Sequence, residues 1–197
     1  MLNNDVLCVP IYVKKIVESS ELLKTYKKEC QTLVESHPEG WGNDWAEFCG
    51  SWNSLFLTQD ILFGSTLFQD IQQDVLQCVQ EYIDSLGLYS NYKLNLDQSW
   101  LNATSSYGFQ EYHHHIPNTI SGCFYISSPE KYGRFYVKNP FANPPHDEIE
   151  LFEEKKFITL NEGDLILFPS NLEHGVMQNP TKENRYSIAF NFNAEIK

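Results

Sequence analysis

Residues 92–126 read YKLNLDQSWLNATSSYGFQEYHHHIPNTISGCFYI, and this stretch decides the fold that we predict. Two short runs typical of β-strands, 92–103 and 119–126, flank a polar segment that holds three consecutive histidines. Because the side chains of a strand alternate between its two faces, His113 and His115 are expected to share one face. The histidine between them is expected to point to the opposite face.

Further strand-like runs follow towards the C-terminus, at 134–137, 156–160, 164–168 and 185–193. Turn signals separate them, among them Asn143-Pro144-Pro145 and Asn161-Glu162-Gly163. Several short strands with turns at this spacing, and no helical pattern between them, are typical of an antiparallel sandwich or barrel.

The N-terminal half has a helical hydrophobic period instead. Apolar residues recur at steps of three and four from Leu67 to Leu86, with Ser65 as a candidate N-cap and Gly87 as a C-terminal stop. An earlier helix is expected over 18–36. The stretch between these helices has no clear period and predicts an ordered loop with short pieces of structure. Helices first and strands afterwards indicate an α+β fold in which the helices brace one sheet.

Composition sets the class of protein. The 197 residues, 42% hydrophobic and 14% aromatic, suffice for one packed domain. A net charge of −12 argues against a nucleic-acid partner, since that affinity depends on Lys and Arg neutralising phosphates. No apolar run approaches the roughly 20 residues of a membrane helix, and no secretory leader opens the chain. Five scattered cysteines without a CxxC pair are typical of reduced thiols in the cytoplasm.

The histidines are candidates for a metal site. If His113 and His115 face the interior, His174, which follows the predicted strand 164–168, can complete a three-point site from a neighbouring strand. Imidazole nitrogen suits iron, zinc, copper and nickel, and three ligands leave open positions for substrate. Three adjacent histidines can also form a polar loop, and an isolated His174 can be a core histidine with hydrogen-bond partners. The histidines alone leave these alternatives open.

Arg185 lies at the start of an apolar strand. Burying an arginine there is costly unless it meets an anion, and the planar guanidinium fork is suited to a carboxylate. The alternative is a surface arginine paired with Glu183 or Glu195, since exposed pairs are common and weak.

An ordered set of motifs covers nearly the whole chain. It resembles the 2-oxoglutarate/Fe(II)-dependent oxygenases found in bacteria and their phages. The motifs are Val9-Pro10-Ile11-Tyr12-Val13, Ser99-Trp100-Leu101-Asn102, His113-x-His115, Ser121-Gly122-Cys123-Phe124-Tyr125-Ile126, Gly163 to Ser170, His174, and Arg185-Tyr186-Ser187-Ile188-Ala189-Phe190-Asn191.

The resemblance implies a double-stranded β-helix, or jelly roll, with N-terminal helices packed against one sheet. Residues 1–197 would then form a single oxygenase domain, with a mainly helical support region at 1–90 and a jelly-roll core at 91–197. It also implies Fe(II) as cofactor, 2-oxoglutarate as co-substrate and hydroxylation as the default reaction. By motif position, the metal ligands would be His113, His115 and His174; the co-substrate contacts would be Arg185, Ser187, Tyr125 and Asn102. No catalytic residue beyond the metal ligands is implied.

One departure concerns the third ligand. The wider superfamily uses two histidines and one carboxylate, and here the carboxylate position corresponds to His115. Either the site has three histidines, or a nearby acid such as Glu111 or Glu173 substitutes. Two other functions stay open: a three-histidine cupin-type dioxygenase that works without 2-oxoglutarate, and a non-catalytic jelly-roll binding module.

Substrate selection is expected in segments 41–63 and 140–154, because binding loops vary on a fixed scaffold. The location is expected to be cytoplasmic, in a host cell if the protein is phage-encoded. A homodimer is the default expectation for any oligomer. The substrate itself is not identified by these residues.

Overall fold

The computed structural model describes residues 9–41, 44–87, 92–139 and 154–196. The α-helices are α1 (Ser20–Ser36), α2 (Asp44–Cys49), α3 (Gln72–Ser85) and α4 (Pro129–Tyr132), with 3-10 helices at Pro38–Trp41 and Thr66–Ile71. The strands are β1 (Tyr12–Lys15), β2 (Ser51–Asn53), β3 (Tyr92–Thr104), β4 (Gln110–His113), β5 (Ile120–Tyr125), β6 (Phe135–Lys138), β7 (Lys155–Phe157), β8 (Asp164–Pro169), β9 (His174–Val176) and β10 (Arg185–Ile196).

The first long helix agrees with its prediction. Helix α1 begins after Ser19, whose hydroxyl accepts a hydrogen bond from the backbone N–H of Leu22 at 3.2 Å and caps the helix N-terminus. Its buried side chains are Leu23, Tyr26 and Cys30, spaced at three- and four-residue steps. One face of the helix therefore joins the core.

The prediction of one continuous helix from Ser65 onwards was wrong in its first turns. Ser65 does accept a hydrogen bond from the N–H of Leu67, but a 3-10 helix follows and the α-helix begins only at Gln72. The backbone breaks at Phe68, which has φ −117° and ψ 21°. The Phe68 ring is completely buried and packs edge-on against Tyr26, with ring centroids 5.4 Å apart. Tertiary packing has overridden the helical pattern there.

Two antiparallel sheets carry the C-terminal half. The large sheet has the strand order β1-β8-β5-β10-β3-β2, and the small sheet has the order β4-β9-β6-β7. The strands predicted at 92–103, 119–126, 134–137, 164–168 and 185–193 are present. The one predicted at 156–160 is shorter and ends at Phe157. Strands β4 and β9, with four and three residues, were not predicted.

The two faces of the large sheet join different apolar clusters. On one face, Phe124 and Ile188 share a buried cluster with Tyr26 of α1 and Val79 of α3. On the other face, Tyr125 and Phe168 pack with Phe135 and Val137 of the small sheet. The alternation of side chains along each strand therefore directs one set towards the helices and the other towards the space between the sheets.

No helix among the described residues has the length and apolar character needed to cross a membrane.

Candidate metal centre

Three histidines converge between the two sheets. His113 ends β4 and is the register partner of His174 on β9, while His115 follows two residues later. The ring centroids are separated by 4.3 Å between His113 and His174, 5.0 Å between His113 and His115, and 5.1 Å between His115 and His174. Their potential ligand atoms all lie within 4.8 Å of one another. His114 is exposed, so the predicted alternation is confirmed, although His113 belongs to a strand rather than to the segment between strands.

Two of these rings are oriented by backbone carbonyls. Nδ1 of His113 lies 2.8 Å from the carbonyl oxygen of Glu111, and Nδ1 of His174 lies 2.8 Å from that of Leu172. Because a carbonyl can only accept, each Nδ1 carries the hydrogen and donates it. The lone pair is then on Nε2, which is the arrangement in which protein histidines bind metals.

Burial keeps the histidines neutral. It lowers the pKa of His174 well below its ordinary value of 6.5 and lowers that of His115 to about 4. The pKa of His113 is also lowered, again chiefly by burial. Neutral imidazole is the form that ligates a metal ion. The donor set of three neutral imidazoles therefore fits one borderline transition-metal ion, such as Fe(II).

Aromatic rings surround the histidines. The ring of Phe168 lies 4.5 Å from that of His174, and the ring of Phe135 lies 5.7 Å away. Trp100 lies 5.7 Å from His115. These rings limit the access of water to the histidines, so charges placed there interact more strongly than they would in bulk solvent.

Neither acid suggested as a third ligand joins the cluster. Glu111 is exposed and contributes its backbone carbonyl to His113. Glu173 forms an ion pair with Lys138 at 2.9 Å. Within the described ranges, the metal-binding group consists of His113, His115 and His174, without a carboxylate.

Arg185 is buried, with 3% of its surface exposed. Its guanidinium donates to the carbonyl oxygen of Tyr132 at 3.0 Å and to Oγ1 of Thr104 at 3.1 Å, with longer bonds to two further carbonyls. Burial lowers the pKa of Arg185 to about 10, so the side chain is still a cation at neutral pH. The alternative of a surface pair with Glu183 was wrong, since Glu183 pairs with Lys131 instead.

A cavity of about 220 Å³ connects Arg185 with the histidines. Ser187, Tyr125 and Asn102 lie on neighbouring strands and meet there, because Ser187 is the register partner of both other residues. All seven residues singled out from the sequence line this cavity: His113, His115, His174, Arg185, Ser187, Tyr125 and Asn102.

The cavity also has lining residues that the sequence did not reveal. Thr104 lies two residues after Asn102 on the same face of β3, a spacing that could have identified it. Ser51 lies 3.3 Å from Thr104, measured between the hydroxyl oxygens. Asn53 and Leu55 belong to the segment expected to select substrate, and both line the cavity. The other such segment, 140–154, lies outside the described residues except for its last residue.

A match to a known family covers the strands that build the cavity. Residues 98–191, just under half of the chain, match the family described as "Putative 2OG-Fe(II) oxygenase". The resemblance drawn from the sequence motifs is thereby confirmed. No curated protein sequence matches the chain.

Solved structures share the fold at low sequence identity. HygX from Streptomyces hygroscopicus, with nickel and 2-oxoglutarate bound, is 14% identical at a TM-score of 0.60, covering 94% of this chain and 82% of its own. A Pseudomonas putida prolyl-4-hydroxylase is 13% identical at a TM-score of 0.65, and the match covers 94% of this chain and 92% of that chain. AviO1 from Streptomyces viridochromogenes Tue57 is 14% identical at a TM-score of 0.64, and the match covers 94% of this chain and 90% of that chain. At this identity the likeness is one of fold.

Proposed function

The chain matches the 2OG-Fe(II) oxygenases over residues 98–191, and from this premise we propose that it is a 2-oxoglutarate- and Fe(II)-dependent dioxygenase. His113, His115 and His174 hold the metal. Arg185 and Ser187 bind the co-substrate, with Tyr125 and Asn102 as further contacts. Structures of HygX with nickel and 2-oxoglutarate, and with iron, support the same pair of ligands here.

The observation that carries this proposal is the pairing of a buried cation with a histidine cluster in one cavity. The Arg185 hydrogen bonds that the structure describes go to neutral groups, two of them Tyr132 and Thr104. In the part of the chain that the structure describes, no residue that lines the cavity is acidic. A buried charge is stabilised by an anion, so the cavity offers one end to a carboxylate and the other to a metal.

Each of the co-substrate residues has its own part in binding 2-oxoglutarate. The Arg185 guanidinium receives the distal carboxylate of 2-oxoglutarate, and the hydroxyl of Ser187 donates a hydrogen bond beside it. Tyr125 is buried and its pKa is raised well above 10, so the phenol stays protonated and donates. Fe(II) with 2-oxoglutarate and dioxygen supplies oxidative decarboxylation to succinate and carbon dioxide, coupled to oxidation of a substrate C–H bond.

The fold proposed for this function is a double-stranded β-helix with supporting N-terminal helices. Residues 1–90 form the support region and residues 91–197 the jelly-roll core of one oxygenase domain. The two antiparallel sheets and the likeness to HygX and to the prolyl-4-hydroxylase support this architecture.

Hydroxylation is the reaction we propose, on a substrate that enters past Asn53 and Leu55. Both residues line the cavity from the edge strand β2 and the turn that follows it. The described cysteines Cys30, Cys49, Cys78 and Cys123 are free thiols, which supports a reducing cytoplasmic location.

The test is an anaerobic titration of 2-oxoglutarate into Fe(II)-loaded protein, following the visible charge-transfer band of the chelate. We expect a saturable band at one equivalent, and a dissociation constant raised about 100-fold in Arg185→Ala, since one partner of a buried charge pair is removed. Arg134→Ala is the matched control, because Arg134 pairs with Glu130 on the surface.

The other outcomes favour the competing functions. Bound iron without any band would favour a three-histidine dioxygenase that does not use 2-oxoglutarate. Failure to bind a stoichiometric metal ion would favour the binding module.

A further inference from the structure

The charges around the cavity do not balance when the proposed ligands are added. Among the described residues that line the cavity, the Arg185 guanidinium is the one fixed charge, and none is an aspartate or glutamate. Tyr125 and Cys123 also line the cavity, and burial raises the pKa of both, to about 11 for Cys123. Both side chains are therefore neutral near pH 7. The described protein groups contribute a single positive charge in total.

A divalent metal on three neutral imidazoles keeps its full charge of +2. With Arg185 the total becomes +3, and 2-oxoglutarate, a dianion, reduces it to +1. A carboxylate at the position of His115 would have brought the same sum to zero. The excess lies among the rings of Trp100, Phe135 and Phe168, which limit screening by water, so it is costly.

We propose that the cavity takes a second anion beside 2-oxoglutarate, a singly charged donor that binds at the metal held by His113, His115 and His174. This inference rests on the proposed function. The donor is either a free inorganic anion or an anionic group of the substrate, since both supply the same missing charge. His115 creates the requirement, because it is the neutral ligand where the wider superfamily has a carboxylate.

The experiment uses protein loaded with Co(II), whose visible spectrum reports on its ligands without turnover. The protein is saturated with 2-oxoglutarate under nitrogen and titrated with sodium azide, then with chloride and with acetate, at constant ionic strength. We expect one equivalent of azide to bind and change the cobalt bands while 2-oxoglutarate stays bound. Binding of chloride as well indicates a free anion as the natural donor; binding of acetate without chloride indicates a group of the substrate.

Two variants test the role of His115. His115→Asp supplies the missing negative charge at the metal, so azide affinity should fall at least tenfold while cobalt is retained. His114→Asp is the matched control: it adds the same charge one residue away, on an exposed side chain, and azide affinity should change less than twofold. Thermal unfolding confirms that both variants are folded.

The failures can be told apart. If azide does not bind the wild-type complex, or binds only by displacing 2-oxoglutarate, the second-anion site is refuted and the proposed function stands. Equal azide affinity in wild type and His115→Asp also refutes it. If the wild-type protein retains neither cobalt nor 2-oxoglutarate, the proposed function itself is refuted.

Discussion

Hydrogen bonds within the protein already hold the Arg185 side chain in place before any ligand binds. Backbone carbonyl groups accept hydrogen bonds from Nη1 of the guanidinium, and the Thr104 hydroxyl accepts one from Nη2. Ser51 in turn contacts Thr104 through its own hydroxyl. The side chain therefore loses little conformational freedom when it binds a carboxylate, which favours affinity.

Thr104 should act as a positioning residue for Arg185. We expect Thr104→Val to raise the dissociation constant of 2-oxoglutarate about tenfold, because a hydrogen bond to a charged group is worth about 1.5 kcal/mol. Thr104→Ser retains the hydroxyl and should restore affinity to within about threefold of wild type. Anaerobic titration of the Fe(II) protein measures both. Equal affinities in the two variants would show that the hydroxyl does not matter.

Cys123 should be a slow thiol that 2-oxoglutarate protects. Burial raises its pKa to about 11, so the reactive thiolate is scarce at neutral pH. We expect iodoacetamide to label its peptide about tenfold faster for each unit of pH between 7 and 9, and more slowly when metal and 2-oxoglutarate are present. Mass spectrometry of the digested protein measures the labelling. Rapid labelling at pH 7, unchanged by 2-oxoglutarate, would place this thiol away from the co-substrate.

At the scale of residues, the sequence predicted the candidate ligand-binding residues better than the residues that hold them in position. The alternation rule brought His113 and His115 to one face, and the apolar strand around Arg185 indicated burial with a ligand. Thr104 and Ser51 were missed because threonine and serine are common in any strand, and only the contact between distant strands gives them a role.

Strands with two contrasting faces are the elements that build the site. Along β10, Arg185, Ser187 and Ala189 line the cavity, while Ile188 and Phe190 join the apolar cluster with the helices. Because the side-chain period is two, the same strand serves the site and the core without interference.

At Gly122 the packing of these strands leaves no room for a side chain. A Cβ at this position would lie 2.3 Å from the Phe190 ring and 2.7 Å from Leu167. We expect Gly122→Ala to lower the free energy of unfolding by about 1–3 kcal/mol through overpacking. Urea unfolding followed by tryptophan fluorescence measures it. An unchanged free energy of unfolding would mean that the neighbouring strands can move apart without losing stability.

The shortest elements of the fold could not be predicted from the sequence. Strands β4 and β9 have four and three residues, too few for a period to be recognised, and both are defined by pairing with partners far along the chain. The 3-10 helix before α3 was not predicted for a related reason. The break at Phe68 is caused by packing against Tyr26 on another helix. Local patterns do not contain such information.

At the scale of the whole molecule, the metal should contribute to stability. An ion that binds only the folded chain stabilises it by about 2.7 kcal/mol at a free concentration of 100 Kd. We therefore expect a chelator to lower the melting temperature of Co(II)-loaded protein by several degrees. His113→Ala should melt at the same temperature with and without metal, whereas His114→Ala should keep the difference. Calorimetry or dye fluorescence under nitrogen measures it. An unchanged melting temperature in the wild type would contradict a bound ion.

The order of helices before strands, and the antiparallel character of the sheets, were predicted correctly at this scale. Which strand belongs to which sheet was not predicted, because that assignment depends on long-range pairing.

The register pairing of His113 with His174 gives a bound ion one more consequence. The two residues face each other across adjacent strands but lie about 60 residues apart in the sequence. An ion joining them is a reversible crosslink that closes a long loop containing β5 to β8. A covalent link around a loop of this size would remove roughly 4 kcal/mol of chain entropy from the unfolded state. Opening that loop would require the ion to leave first, so the lifetime of the folded protein would follow the rate at which it releases its metal.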